Sequence, residues 1–257
     1  MIFEADIHVR QKLIPMFEKI DSTIILSCLQ GHMGTAWVDD LENPTVAQIT
    51  VGIFVFFAGN ADTKAAEELL CNLPDFTLAI VDSVEWKNRI ETVHVGSIEK
   101  FQRYRFEKNS EHLNRKHIQS LISTLPEGYE VKRIDKTIAK DSSFHELSED
   151  FVSQFDSIDD FINRGIGYAI INNGHVVSAA TSFSIYDGGI EIEVASHPDY
   201  RRKGLATIVA SILILDCLDK GKYPNWDGAN EESVKLAQKI GYKLQESYDT
   251  YFINNEK

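Results

Sequence analysis

The chain has 257 residues, 43% hydrophobic and 25% charged, with a formal net charge of −13, which allows one large domain or two of ordinary size. That charge weighs against nucleic acid as a partner, because phosphate backbones call for a concentrated positive field, and no apolar run approaches the ~20 residues of a membrane span. Three cysteines, Cys28, Cys71 and Cys217, are odd in number and far apart, so buried thiols in a reducing compartment are expected, not a disulfide framework.

The first six residues, Met1-Ile2-Phe3-Glu4-Ala5-Asp6, carry acids where a secretory leader carries bases, so a cytoplasmic location is expected. Val9, Leu13, Ile14, Phe17 and Ile20 share one stripe and predict a helix over His8 to Ile20. Strands are expected at Thr23 to Leu29, Thr35 to Val38 and Val46 to Phe57. A helix follows over Asp62 to Leu70 with the acid at its start as cap, then a strand at Phe76 to Val81, a helix at Ser83 to Ile90 and a strand at Phe101 to Phe106. Residues 1–107 thus read as an α/β accessory domain. Its apolar run Ile53-Phe54-Val55-Phe56-Phe57 needs cover on both faces, which the rest of the chain or a second copy in a homodimer would provide. Residues 108–124 read as a bridging helix, with His112, Leu113, Arg115, Ile118, Leu121 and Ile122 along it.

From Leu125 onward the pattern alternates. A strand at Tyr129 to Ile134 precedes helical spacing over Ser143 to Phe155 and Ser157 to Asn163. Strands at Gly167 to Ile171 and Val176 to Ile185 meet at Asn172-Asn173-Gly174, a hairpin-type turn. Asp187-Gly188-Gly189 leads into a strand ending at Ser196. A helix follows from Leu205 to about Leu218, a strand at Lys222 to Trp226, a helix over Glu231 to Lys239, and two strands at Tyr242 to Gln245 and Tyr248 to Ile253.

The most informative run is Ser196-His197-Pro198-Asp199-Tyr200-Arg201-Arg202-Lys203-Gly204-Leu205-Ala206-Thr207. A strand, a basic glycine-containing turn and a helix form a recipe for holding a phosphate. The first amides of a helix lack internal partners and favour an anion. Gly204 lets backbone approach the ligand, and Arg201, Arg202 and Lys203 add positive charge. The corresponding junction in the first half, Ala58-Gly59-Asn60-Ala61-Asp62, has no basic cluster, and Asp62 would repel a pyrophosphate.

Arg201-x-x-Gly204-x-Ala206 resembles the R/Q-x-x-G-x-G/A signature of the GNAT family of acyl-CoA-dependent N-acetyltransferases. Downstream, Asn230 through Tyr242 is similar to that family's N-x-x-(S/A)-x-x-L-x-x-K-x-G-F/Y helix and turn. The resemblance covers residues 125–257 and implies a mixed-sheet α/β fold of GNAT type there. The strand–helix alternation of residues 1–107 resembles the second half of the same fold, as a diverged internal copy would. The implied donor is acetyl-CoA and the acceptor a primary amine, small-molecule by the acidic balance, with no metal, nucleic acid or membrane. Acceptor choice is expected to lie with the region between Ser142 and Gly165 and with the last strands.

By the same resemblance, Val194, Ala195 and Ser196 pair with the pantetheine arm, and a nearby amide polarises the thioester oxygen. Arg201, Arg202, Lys203, Gly204, Leu205, Ala206 and Thr207 cradle the pyrophosphate. Asn230 and Ser233 belong to the second motif; Asn230 is either a pantetheine contact or the cap of its helix. Attack by an amine requires removal of its proton, a task for a carboxylate. Glu191 and Glu193 lie two apart on one strand and so share a face, with Glu193 the first choice as base. The alternative puts both in solvent, with Ile192 and Val194 inward. Many family members protonate the leaving thiolate with a Tyr where this chain has Ala237; Tyr242 occupies the place of a core aromatic. His145-Glu146-Leu147-Ser148-Glu149 begins like a zinc-protease helix but lacks the second His, and neither a P-loop nor a G-x-S-x-G elbow occurs.

Overall fold

The computed structural model describes residues 1–255. The chain forms two compact units, Met1–Arg103 with the residues from Tyr248 onward, and Tyr104–Ser247. In the first unit, β1 (Phe3–Glu4) precedes α1 (Ile7–Lys12) and α2 (Ile14–Phe17). The helix expected over His8 to Ile20 is cut at Leu13, because Pro15 has no amide to continue the ladder. Next comes α3 (Thr23–Leu29), a helix where a strand was expected. Six of its seven residues are buried, and a short run apolar on every side carries no periodicity to separate the two forms.

The chain continues through β2 (Thr35–Val38), β3 (Val46–Val51) and β4 (Phe54–Gly59). The single strand expected over Val46 to Phe57 is a hairpin. It turns at Gly52-Ile53, with Val51 opposite Phe54 and Gly52 at φ 58. A two-residue hairpin loop suits glycine at its first position. α4 (Lys64–Leu70) is capped by Thr63, whose Oγ1 accepts from the Ala66 amide at 3.0 Å; Asp62 is not the cap. β5 (Phe76–Ile80), α5 (Val84–Val93) and β6 (Ile98–Phe106) follow, with β6 starting three residues earlier than expected.

In the second unit α6 (Arg115–Ile122) is capped by Asn114 and is shorter than the helix expected over 108–124. Then come β7 (Tyr129–Arg133), α7 (Ser142–His145), α8 (Asp150–Ser153) and α9 (Ile158–Arg164). The helix expected over Ser143 to Phe155 is broken because the Ser148 hydroxyl accepts from the Asp150 amide at 3.2 Å, the local competition by which serine interrupts helices. β8 (Gly167–Asn172) and β9 (His175–Tyr186) join through Asn173 (φ 49) and Gly174 (φ 81). β10 (Gly189–Ser196), α10 (Leu205–Asp219), β11 (Tyr223–Asn225), β12 (Asp227–Gly228), α11 (Glu231–Ile240) and β13 (Leu244–Asn254) complete the chain. The two final strands expected near Tyr242 and Tyr248 are one.

Within the first unit the strand order is β1-β2-β3-β4-β5-β13. β4 and β5 run parallel with α4 as their crossover, and Tyr251–Asn254 of β13 lie antiparallel to β5. Phe57 stacks on Trp86 with ring centroids 5.1 Å apart, above Leu69, Leu70, Ile90 and Tyr251. Asp249 accepts from Lys87 Nζ (2.8 Å) and Gln102 Nε2 (2.6 Å) and pairs with Lys100 (3.0 Å), contacts that hold its carboxyl down at about 2.

The second unit has a five-stranded sheet ordered β11-β10-β9-β8-β7, antiparallel except for the parallel pair β10/β11. α10 packs on β8, β9, β10 and β11, while α7 and α8 pack on β9. Val176 to Ile185 of β9 are buried without interruption, as a strand covered on both faces requires. α6 packs on α10 and so lies within the second unit, where the sequence suggested a bridge. Among the described residues no helix is long and apolar enough to cross a membrane.

Candidate functional site

β10 delivers the chain to its turn. After Ser196, His197 accepts from the Asp199 amide at its Nδ1 (3.3 Å) and Pro198–Tyr200 make one 3-10 turn. Arg202 then adopts φ 61 and Gly204 φ 80, ψ 0. Gly204 is the N-cap of α10 and offers no side-chain oxygen, and the first bond of the helix is Ile208 N to Gly204 O at 3.1 Å. The amides of Leu205, Ala206 and Thr207 therefore face the turn. A Cβ added at Gly204 would meet nothing within 4 Å. Glycine is needed there for its φ and leaves open room in front of the helix.

That room is a cavity of about 1000 Å³. It brings together Ser196, Arg201, Arg202, Gly204, Leu205, Ala206 and Thr207 of the expected set. The sequence reading missed Lys235 and Lys239 on α11, which line it too; their i, i+4 spacing on one helix face was the available signal. Acids also reach the wall, Asp199 and Glu232. Val194, Ala195, Lys203, Asn230 and Ser233 do not line it. Lys203 lies over the Tyr200 ring, its Nζ 4.4 Å from the centroid. Asn230 caps α11 through its Oδ1, which accepts from the Ser233 amide at 2.9 Å, and the Ser233 hydroxyl accepts from Trp226 Nε1 at 3.0 Å.

β10 pairs with β11 only from Gly189 to Glu191, so Ile192 to Ser196 have left that neighbour. On its other side the register slips between Glu191 and Ile192, opposite Ser184 and Ser182, which leaves Phe183 of β9 as the extra residue. Glu191 is 4% exposed, and its Oε2 accepts from Asn225 Nδ2 at 2.7 Å, its register partner on β11. Glu193 accepts from the Ser148 hydroxyl at Oε1, while its Oε2 is buried with no hydrogen-bond partner among the described residues. Burial raises the Glu193 carboxyl to about 7; the Ser148 hydrogen bond acts against this and the Asp150 charge adds to it. The alternative of two solvated glutamates does not hold: Glu191 lies within the sheet and Glu193 under the segment joining α7 to α8.

Tyr242 is buried, and its hydroxyl donates to Pro224 O at 2.5 Å. Burial pushes that phenol well above its usual range, and its ring packs on Phe106 and Trp226. It is a core residue. Ala237 is fully buried as well.

A family model for GNAT acetyltransferases matches residues 14–251. The chain belongs to the GNAT acetyltransferase family. The match extends far beyond the C-terminal half to which the sequence motifs confined the resemblance, and the mixed α/β sheets are those of the GNAT fold. The chain is 34% identical over 130 residues to the uncharacterized N-acetyltransferase YdfB of Bacillus subtilis (strain 168), half of this chain and 49% of that relative. The alignment thus spans about half the relative's length. The crystal structure of a GCN5-related N-acetyltransferase-like protein from Streptococcus suis is 34% identical, with a TM-score of 0.87 over 95% of this chain and 98% of that one. A tandem GNAT protein from the clavulanic acid biosynthesis pathway shares the fold at 8% identity, with a TM-score of 0.59 over 100% and 99% of the two chains.

Proposed function

We propose that this GNAT protein transfers an acetyl group from acetyl-CoA to a small primary amine. The observation that carries the reading is the turn at Arg202 and Gly204. It opens the uncapped start of α10 onto the 1000 Å³ cavity, at the end of a strand that has parted from β11. Backbone amides at a helix start, with Arg201, Arg202, Lys235 and Lys239 around them, suit the pyrophosphate of the donor. Val194, Ala195 and Ser196, past the last β11 pair, suit the pantetheine arm as an added strand, with a strand amide on the thioester oxygen. Glu193, near 7, exists in both proton states around neutrality and accepts the proton that an ammonium must lose before it attacks. Glu191, tied to Asn225, holds β10 and β11 together where they part. A net charge of −13 favours a cationic acceptor.

Ala237 supports a second reading, in which the protein binds acyl-CoA without turnover, since the usual position for the thiolate's acid holds a methyl group. Calorimetry with acetyl-CoA tests the binding both readings share. Thiol release across a panel of aliphatic diamines, amino alcohols and amino sugars separates them: binding without release on any amine favours the second, and no binding removes both.

Residues 1–107 read as a diverged copy without a donor site. In support, the Thr63 hydroxyl already occupies the Ala66 amide at the start of α4 and Glu67 stands in its first turn, so an anion would compete with the cap and meet a negative charge. One acetyl-CoA per chain is the expected stoichiometry; two would refute this part.

A further inference from the structure

Glu193 has two oxygens in unlike situations. Oε1 accepts from the Ser148 hydroxyl, and Oε2 is buried with no partner among the described residues. Ser148 is itself held from two sides, because its Oγ also accepts from the Asp150 amide at 3.2 Å at the start of α8. A hydroxyl has one proton to give and two lone pairs. With the Asp150 amide occupying an acceptor position, the hydroxyl proton is directed to Glu193. The local break between α7 and α8 thereby acquires a purpose. It places one donor on the carboxyl of the strand and leaves the second oxygen open.

We propose that Ser148 is a positioning residue for the amine-deprotonating step: it fixes the Glu193 carboxyl through Oε1 so that Oε2 is the atom that takes the acceptor's proton. The inference rests on the reading of Glu193 as the base. A carboxyl carried on two methylenes has rotamers to choose among, and a proton acceptor works only when aimed. A hydrogen bond from a neutral hydroxyl also favours the ionised carboxylate, so the same contact keeps a half-buried acid able to act as a base near neutrality. Few other groups bear on it. From α8 the facing charge is Asp150; from β9 the register partner is Thr181; on its own strand the nearest acid, Glu191, is engaged by Asn225; and β11 ends its pairing before this position.

The test is the titration of Glu193, followed in the full chain by carboxyl-carbon NMR with glutamate labelling, the signal assigned by its loss in Glu193→Gln. Ser148→Ala and Ser148→Val remove the donor and should each move the midpoint up by about one pH unit. Ser148→Thr keeps the hydroxyl and should leave it in place; Thr and Val match in shape, so packing alone cannot separate them. An unchanged midpoint in a folded Ala or Val variant, or a Thr variant that shifts as far as Val, overturns the proposal. Activity distinguishes this failure from that of the underlying reading. Glu193→Gln with undiminished thiol release from acetyl-CoA and an amine of the panel would remove Glu193 as base, whatever the titrations of the Ser148 variants give.

Discussion

Glu193→Gln should make the protein more stable at high pH and no more stable at low pH. The carboxyl moves from an ordinary value of 4.5 to about 7 on folding, chiefly through burial, so the folded state favours the protonated form. A group raised in this way contributes stability that is full below 4.5 and is lost as pH rises through 7. Each pH unit across that window is worth about 1.4 kcal/mol, which sets a ceiling of about 3 kcal/mol. Glutamine is the neutral analogue of the protonated acid, and its carbonyl can still accept from Ser148. The variant should therefore match the parent at pH 4 and exceed it at pH 8 by about 1–3 kcal/mol, the lower part of the range allowing for water reaching the site. Urea unfolding followed by circular dichroism at both pH values reads this directly. A stability difference equal at pH 4 and pH 8 would mean that Glu193 is an ordinary exposed carboxylate, and the case for a tuned base would fall with it. A gain in stability together with loss of turnover is the trade expected where a functional group is held in a costly state.

Gly204→Glu should abolish acetyl-CoA binding by calorimetry, because a carboxylate enters the open room before α10 and the backbone φ of 80 disfavours any side chain; retained affinity would take the turn out of the site. Arg202→Gly should relieve a left-handed residue at φ 61, raising stability by up to about 1 kcal/mol, while weakening acetyl-CoA by about 1–3 kcal/mol for one lost charge-assisted contact; a variant that loses stability would contradict the strain. Tyr242→Phe should leave thiol release intact and cost about 1–3 kcal/mol in unfolding, since Pro224 O loses its buried donor; a large fall in turnover would make Tyr242 a participant. Asp249 should support stability above its ordinary value of 3.8 and lose that support as pH falls towards 2; an Asp249→Asn protein with the parent's acid-unfolding profile would show the charge hub to be idle.

Much of this protein was readable where its physics is local. The Asn172–Gly174 hairpin, the glycine-containing turn before α10, the Asn230 cap and the apolar helix from Leu205 each follow from a few adjacent residues, because turn and cap preferences act within one turn of chain. The two GNAT motifs are of this kind, which is why the family was visible in them. Where burial is complete, that legibility ends. Thr23–Leu29 is apolar on all sides and has no period to declare itself a helix, and Val46–Phe57 hides its hairpin because both strands are covered.

Lys235 and Lys239 entered the cavity wall only when α11 was laid beside the start of α10. The parting of β10 from β11 after Glu191, and the pairing of Tyr251–Asn254 with β5, join residues far apart in sequence, and nothing at either residue alone specifies its partner. Sequence placed two glutamates on one strand; it could not say that Asn225 would engage one and Ser148 the other. The proton state of Glu193 was decided by tertiary structure alone, because desolvation and a single hydroxyl from another part of the fold set the energy of its charge.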